Sequence, residues 1–148
     1  MKARGNLARW TGEAGDPAAA RDQYALLAPV RKRILGPEHP DTLKVRADLA
    51  RWTGEAGDPA AARDLTAALV PVRERILGPD HPETLGTRAD LARWTGEAGD
   101  PAHARDQAAA LLSQLERVAG AEHPWARTVR ATLAFWAGQA GNAPAARD

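Results

Sequence analysis

Three histidines occupy the same place in successive segments of the chain and are the first candidates for metal chemistry. His39, His81 and His123 follow one another at intervals of 42 residues. Adjacent layers of packed helices lie roughly 10 Å apart, so these imidazoles are expected to be too distant to share one ion. No carboxylate pair or second histidine lies at ligand spacing on the same helix. We therefore expect no metal site, and we assign the histidines to capping or ordering of the loops.

Nucleophilic catalysis is not indicated either. Ser113 is the only serine, the chain has no cysteine, and no histidine and acid are arranged around Ser113 in the sequence. A catalytic centre needs a nucleophile, a base and a group that orients the base. We accordingly expect no catalytic residues, no cofactor and no enzyme activity.

Arginine and glutamate recur four residues apart, which places them on one side of a helix. The pairs are Arg9 with Glu13, Arg51 with Glu55 and Arg93 with Glu97. Each pair stabilises its own helix by only about 0.2–0.5 kcal/mol. Two interpretations remain open: a solvated, ion-paired face, or a surface that binds an acidic or extended peptide. Phe135 and Gln139 replace the pair in the last segment, so a charged groove would end there.

These residues belong to a repeated sequence. The stretch RADLARWTGEAGDPAAARD at 46–64 recurs at 88–106 with one change, and weaker copies begin at Arg4 and Arg130. Tryptophans mark the period of 42 residues at positions 10, 52, 94 and 136. A fixed period of this length is typical of a helical repeat array.

Each repeat is predicted to contain two helices. His39 caps the first, helix A, and Pro40 occupies its first turn; Gly57 ends it. Asp58 and Pro59 then begin helix B, and this short connection makes the helices antiparallel neighbours. We expect a single all-α repeat domain over 1–148, with helix pairs at 3–35, 40–77 and 82–119, a terminal helix at 124–141 and a truncated second helix at 142–148.

The apolar pattern indicates which faces pack. Tryptophan on helix A is expected in the core, and the glycines two residues later are expected to allow close packing of helices; these are Gly12, Gly54, Gly96 and Gly138. In helix B the spacing 3, 4, 3, 4 predicts a buried stripe of Ala62, Leu65, Leu69, Val72 and Ile76. Arg73 and Glu74 are then expected on the outer face.

The loop LGPEHPDTL at 35–43 recurs as LGPDHPETL at 77–85. This loop, together with the 42-residue period, resembles tetratricopeptide repeats of the kinesin-light-chain type, as found in actinobacterial repeat proteins. The resemblance implies a right-handed superhelical solenoid of about three and a half repeats. It also implies a non-catalytic scaffold that binds a peptide or protein segment in a concave groove lined by helix A. The expected groove residues are Arg9, Arg51, Arg93, Glu13, Glu55, Glu97 and Lys44.

The last repeat differs from the others in a way that suggests an interface. Trp125 replaces the acidic residues Asp41 and Glu83, and Phe135 replaces arginine. With Leu133 and Trp136 these residues would form an apolar patch, and such patches mark interaction sites. The patch could mediate self-association into a homo-oligomer, could be covered by further repeats of a longer array, or could be covered by Trp125 folding back.

Composition excludes two other classes of partner. The formal net charge is only +1, which does not favour binding to nucleic acid. No stretch approaches the roughly 20 apolar residues of a membrane span, and no signal peptide is recognisable. We therefore expect a cytoplasmic protein whose partners are proteins or peptides.

Overall fold

The computed structural model describes residues 2–142, and these residues form seven helices in antiparallel pairs. The predicted all-α repeat architecture is thus confirmed. The predicted truncated helix at 142–148 lies outside the described residues except for Asn142, which is the last residue of the seventh helix. The helices are α1 (Lys2–Glu13), α2 (Pro17–Leu35), α3 (Pro40–Glu55), α4 (Pro59–Leu77), α5 (Pro82–Glu97), α6 (Pro101–Ala119) and α7 (Pro124–Asn142).

Local capping chemistry sets where the helices begin. Asp16, Asp58 and Asp100 each accept a backbone N–H from three residues later through a side-chain oxygen, at 3.0, 3.1 and 3.1 Å. The ring nitrogen Nδ1 of His39 and of His81 accepts the N–H two residues on, at 3.1 Å in both loops. These side chains satisfy amide groups that the first helical turn leaves without an internal partner.

Glycines with left-handed backbone conformations end the helices. Gly15, Gly57 and Gly99 follow the A helices with φ of 102°, 103° and 106°. Other residues adopt this conformation only with strain because of their Cβ. The chain therefore reverses within a few residues, which brings each helix A against the following helix B.

The buried face of helix B differs from the predicted one. In α4 the buried residues are Ala62, Thr66, Leu69 and Arg73, whereas Leu65 and Ile76 are 37% and 40% exposed. The prediction of Arg73 on the outer face was wrong: its guanidinium Nη1 donates to Thr87 Oγ1 at 2.8 Å. Apolar spacing alone predicted this face incorrectly in part, because the buried face of helix B includes the polar residues Thr66 and Arg73.

The chain divides into two compact units, Met1–Val72 and Arg73–Asp148, with the boundary inside α4. In the first, which we call unit 1, α2 packs against both α1 and α3. Its core consists of buried side chains from these three helices: Ala8, Ala20, Tyr24, Leu27, Val45 and Trp52. Small residues on α1 and α2 let the helices approach closely around the two large rings.

The second, unit 2, is built in the same way, since α6 packs against both α5 and α7. Its core is more aliphatic and contains Leu85, Ala108, Leu111, Leu115, Ala126 and Val129. The tyrosine of unit 1, Tyr24, corresponds two repeats later to Ala108. The same scaffold therefore carries different side chains at matching positions of its two units.

Tryptophan contacts glycine inside each unit. A Cβ built on Gly12 would lie 2.5 Å from the Trp52 ring, and one built on Gly96 would lie 2.4 Å from the Trp136 ring. The two indoles are 5% and 9% exposed. Close packing at these glycines is therefore present as predicted, and it requires the absence of a side chain.

The expectation that all four repeated tryptophans are core residues was wrong for one of them. Trp52, Trp94 and Trp136 are buried, but Trp10 is 58% exposed. At the other end, no atom of the described residues lies within 4 Å of a Cβ built on Gly138. The tryptophan of α1 and the glycine of α7 thus lack the contact that their counterparts make.

Candidate functional site

The arginines and glutamates predicted from the repeat lie on exposed faces of α1, α3 and α5. Arg9 Nε lies 3.9 Å from Glu13 Oε1, and Arg93 Nε lies 3.6 Å from Glu97 Oε1. All four side chains are about half exposed. Exposed pairs of this kind contribute about 0–1 kcal/mol to stability, so these groups remain available to a ligand at little cost.

Two arginines also stack on the tryptophan that follows them. The guanidinium carbon of Arg51 lies 4.5 Å from the ring centroid of Trp52, and that of Arg93 lies 4.2 Å from the centroid of Trp94. A cation over an indole face is attracted by the ring quadrupole. The stacking holds the arginines in defined orientations, which lowers the entropy that they would lose on binding a ligand.

A polar groove lies in unit 1 between α1 and α3, with α2 contributing to its floor. It has a volume of about 200 Å³. Its charged lining residues are Arg9, Arg31, Asp41, Lys44 and Asp48. We call it the unit-1 groove. Two of the residues predicted from sequence, Arg9 and Lys44, lie in it.

Tyr24 forms part of this groove and is held by two polar contacts. Its hydroxyl donates to the carbonyl oxygen of Gly5 at 3.1 Å, and it is also hydrogen-bonded to Asp48. Burial, followed by the negative charge of Asp48, raises the pKa of Tyr24 from 10.0 to about 12, although Arg9 and Arg51 act in the opposite direction. The phenol therefore stays protonated, and its single O–H is shared between the Gly5 carbonyl and the Asp48 carboxylate.

Sequence reasoning missed Tyr24, Arg31 and Asp48. Tyr24 and Arg31 are 2% and 7% exposed and lie on the buried face of helix B, on the same face as Ala20 and Leu27. A signal was present in the sequence: these positions carry large polar side chains in the first repeat but alanine and leucine in the third. The signal is thus a change of polarity at equivalent positions of the repeat.

A second groove lies at the equivalent place in unit 2, between α5 and α7 over α6. It has a volume of about 310 Å³, and we call it the unit-2 groove. Its lining includes Leu85, Leu111, Leu115, Trp125 and Val129. Apolar atoms dominate this surface, so it suits an apolar side chain rather than a charged one.

The two grooves lie two repeat lengths apart and share most of their lining positions. Arg31, Asp41 and Lys44 of the unit-1 groove correspond to Leu115, Trp125 and Thr128 of the unit-2 groove. Tyr24 corresponds to Ala108, which does not line the unit-2 groove. Every one of these replacements removes a charge or a polar ring substituent from the lining, although Thr128 keeps a hydroxyl. The repeat backbone therefore presents a charged groove in one unit and an apolar groove in the other.

A further hollow in unit 2 shares Ala89, Asp90 and Thr128 with the unit-2 groove. It has a volume of about 480 Å³, and Arg93, Glu97, Phe135 and Trp136 line it. Phe135 stands where the other repeats have arginine, and its ring lies edge-on to Trp136 with the centroids 4.6 Å apart. The predicted pair Arg93 and Glu97 thus borders an aromatic surface.

The four residues predicted to form a C-terminal patch have different environments. Trp125 and Phe135 are 43% and 55% exposed, whereas Trp136 is 9% exposed against Gly96. Leu133 is half-buried against the unit-2 core. The ring of Trp125 packs edge-on against His123, with the centroids 5.8 Å apart. The exposed part of the patch therefore consists of Trp125 and Phe135.

The other candidate chemical groups are explained by local structure. His123 accepts the N–H of Trp125 at 3.1 Å, as its counterparts do in the earlier loops. Within residues 2–142, no three His, Asp or Glu side chains lie close enough together to hold a metal ion. Ser113 is exposed on α6. Among the described helices, none combines the length and the apolar character that crossing a bilayer requires.

Comparison with known proteins identifies the fold. A family model described as "Tetratricopeptide repeat" matches residues 1–68. A kinesin-light-chain-like protein of Podospora anserina with nearly identical TPR-like repeats superposes on the chain with a TM-score of 0.82. The fold is tetratricopeptide-like.

That TPR-like structure is 23% identical to the chain, and the superposition covers 95% of this chain and 68% of the other. A single-substitution variant of the same protein gives the same values. BtubC (BKLC) from P. vanneervenii also has a TM-score of 0.82, at 14% identity, over 97% of this chain and 57% of its own. A search of curated proteins found no match. The chain is thus structurally similar to TPR-like repeats of the kinesin-light-chain type.

Proposed function

We propose that the chain is a non-catalytic interaction module that binds a peptide or protein segment of a partner along its A helices. Tetratricopeptide repeats generally mediate protein–protein interactions. The observation that carries the proposal is the pair of equivalent grooves between successive A helices, one charged and one apolar. Each groove by itself fits side chains of an extended segment.

The lining suggests which side chains each groove takes. Lys44 and Arg9 at the unit-1 groove favour acidic groups, because their side chains are exposed at its edge. The unit-2 groove takes a leucine-sized or aromatic side chain, which would bury against Leu111, Leu115 and Trp125. Arg93 and Glu97 add polar contacts beside it. Arg51, stacked on Trp52, and Glu55 complete the proposed charged surface.

A peptide library displayed on phage and selected on the immobilised chain tests the proposal. We expect the selected peptides to combine acidic residues with an apolar anchor. Lys44→Glu and Arg93→Glu should each weaken a selected peptide by at least about tenfold, which is about 1.4 kcal/mol, measured by fluorescence anisotropy. Arg105→Glu is the matched control, because Arg105 is exposed on helix B and paired with Asp106.

The proposal would be wrong if selected peptides bound the Lys44→Glu, Arg93→Glu and Arg105→Glu variants equally well. Raising the salt concentration should weaken binding at the unit-1 groove, because exposed charges are screened over about 10 Å at 0.1 M. Trp125→Ala should weaken peptides that carry the apolar anchor and leave purely acidic ones unchanged, because Trp125 lines the unit-2 groove and is 43% exposed.

Self-association is a second candidate, favoured by the exposure of two large aromatic side chains. Trp125 and Phe135 are 43% and 55% exposed, and exposed apolar patches mark interfaces. The double variant Trp125→Ser, Phe135→Ser should then lower the average mass measured by light scattering. A wild-type mass that stays at one chain, 15.8 kDa, at every concentration would exclude self-association without affecting the groove proposal.

A further inference from the structure

One contact occurs once inside each unit, and the residues that would make a further copy of it are present but separated. Trp52 of α3 lies on Gly12 of α1, and Trp136 of α7 lies on Gly96 of α5. In each case an indole of one A helix covers the glycine of the preceding A helix. The glycine is necessary, because a Cβ there would lie 2.4–2.7 Å from ring atoms.

The unused indole is on α1. Trp10 has the same position in its helix as Trp52 and Trp136, but it is 58% exposed, against 5% and 9% for the other two. Leu7, one turn earlier, is also 58% exposed. Its counterpart Leu49 is partly buried against the unit-1 core. Trp10 and Leu7 of α1 are thus exposed at positions whose counterparts in α3, Trp52 and Leu49, pack in the unit-1 core.

The unused glycine is on α7. No atom of the described residues lies within 4 Å of a Cβ built on Gly138. Ala134, one turn earlier on α7, is exposed, whereas its counterparts Ala8 and Ala92 are 0% and 1% exposed. This face of α7 therefore has the small residues that accept an indole in the other A helices, and it is open to solvent.

We propose that Trp10 of one copy of the chain packs on Gly138 of a second copy, repeating between molecules the contact that each unit makes internally. The proposal rests on the self-association suggested above. It identifies the face of α1 that carries Trp10 as the surface that contacts α7 of the neighbouring copy. The occupant is a second copy because the chain itself carries the indole that has the matching register. The contact joins two different surfaces, so it generates rings or open filaments rather than a closed symmetric dimer.

Light scattering as a function of concentration tests this contact with two single variants. Trp10→Ala removes the indole, and Gly138→Leu fills the face that would receive it. Each should raise the concentration at which the mass begins to increase by at least about tenfold. Gly86→Leu is the control, because Gly86 is also a helical glycine with open space around it and is expected to leave association unchanged.

Mixing the two variants gives the sharpest result. The Trp10→Ala copy keeps an intact Gly138, and the Gly138→Leu copy keeps an intact Trp10, so the mixture should form a one-to-one complex that does not grow. Circular dichroism establishes that each variant is folded. Unchanged association of either variant, or a mixture that remains monomeric, overturns the contact.

Two further outcomes separate this proposal from the earlier ones. Association that is lost in the Trp125→Ser, Phe135→Ser variant but kept in Trp10→Ala would overturn the Trp10–Gly138 contact and leave self-association through α7 intact. A wild-type chain that is monomeric at every concentration would overturn both. Neither outcome affects peptide binding in the grooves.

Discussion

Gly12 and Gly96 show how the absence of one carbon atom determines the packing of two helices. Glycine in a helix interior costs about 0.5–1 kcal/mol relative to alanine. The structure offsets this cost by laying an indole directly on the helix backbone. The sequence alone shows the glycine only as a helix-weakening residue, so its benefit becomes visible in the contact with tryptophan.

Gly96→Ala should therefore destabilise unit 2 although alanine is the better helix former. The new methyl group would meet Trp136 at 2.4 Å, and overpacking of a filled core typically costs about 1–3 kcal/mol. Urea unfolding should show a lower midpoint than wild type. Gly86→Ala, at a glycine with open surroundings, should raise the midpoint, and equal effects of the two substitutions would contradict the role of the glycine.

Tyr24 connects the groove of unit 1 to stability at high pH. Its pKa is about 12 in the folded chain and 10.0 for an unperturbed tyrosine. Below pH 10 the phenol is protonated in both the folded and the unfolded chain, so its full contribution to the free energy of unfolding is present. Between these values the unfolded chain ionises and the folded chain does not, which favours unfolding.

The free energy of unfolding should consequently fall as the pH rises from about 10 to about 12, by roughly 2–3 kcal/mol for a shift of two units. The difference between wild type and Tyr24→Phe isolates this component, because other groups titrate in both. Tyr24 is the only tyrosine, so its ultraviolet absorbance reports the ionisation directly. A tyrosinate midpoint near pH 10 in the folded chain would contradict the shift.

At the scale of the helix, the ends are set by residues nearby in the sequence, whereas the buried face is set by the helices that pack against it. The ends are local: Asp58 accepts the N–H of Ala61 three residues away, and Gly57 supplies the left-handed turn just before it. The buried face of helix B depends on what packs against it. That is why Leu65 and Ile76 of the predicted stripe are exposed, whereas Thr66 and Arg73 are buried beside Ala62 and Leu69.

Asp58→Ala should destabilise the chain by about 1 kcal/mol, because the N-terminal amide of α4 loses its acceptor. Asp64→Ala provides the comparison within the same helix. Asp64 has a side chain that is 73% exposed and pairs with the adjacent Arg63, so its loss should cost much less. Thermal unfolding of both variants measures the difference, and a cap effect no larger than that of Asp64→Ala would argue against the capping role.

At the scale of the whole molecule, each unit has its own core. Within the units, α2 packs on α1 and α3, and α6 packs on α5 and α7. The stability of a repeat array is approximately the sum of the stabilities of its repeats and of the interfaces between adjacent repeats. A destabilising substitution therefore affects nearby repeats more than distant ones. Leu111 is 1% exposed in the core of unit 2. Leu26 is 75% exposed on α2 of unit 1.

Leu111→Ala should cost about 2–5 kcal/mol and should reduce hydrogen-exchange protection most strongly in α5, α6 and α7. The amides of α1 and α2 should be affected less. Leu26→Ala is expected to change protection little in either unit. Uniform loss of protection along the chain in Leu111→Ala would show instead that the chain unfolds as a single cooperative body.

The candidate site was only partly predictable, because some of its residues follow from spacing within one helix and others come together only when several helices pack. Arg9, Arg93 and Glu97 were found because helical spacing places repeated charges on one face, and Lys44 was named because the family resemblance implied a groove along helix A. All four line the hollows. Tyr24, Arg31 and Asp48 were not found. Their role depends on α1, α2 and α3 meeting around one groove, and no spacing within a single helix expresses that meeting.

The sequence by itself determined the repeat length, the helix type and the residues that begin and end each helix. Those features depend on backbone groups a few residues apart, which the same motif supplies in every copy. Tertiary structure alone decided which positions meet to form the two grooves and the different environments of Trp10 and Trp52. Burial depends on which neighbour lies against a side chain, so identical positions of a repeat differ wherever their neighbours differ.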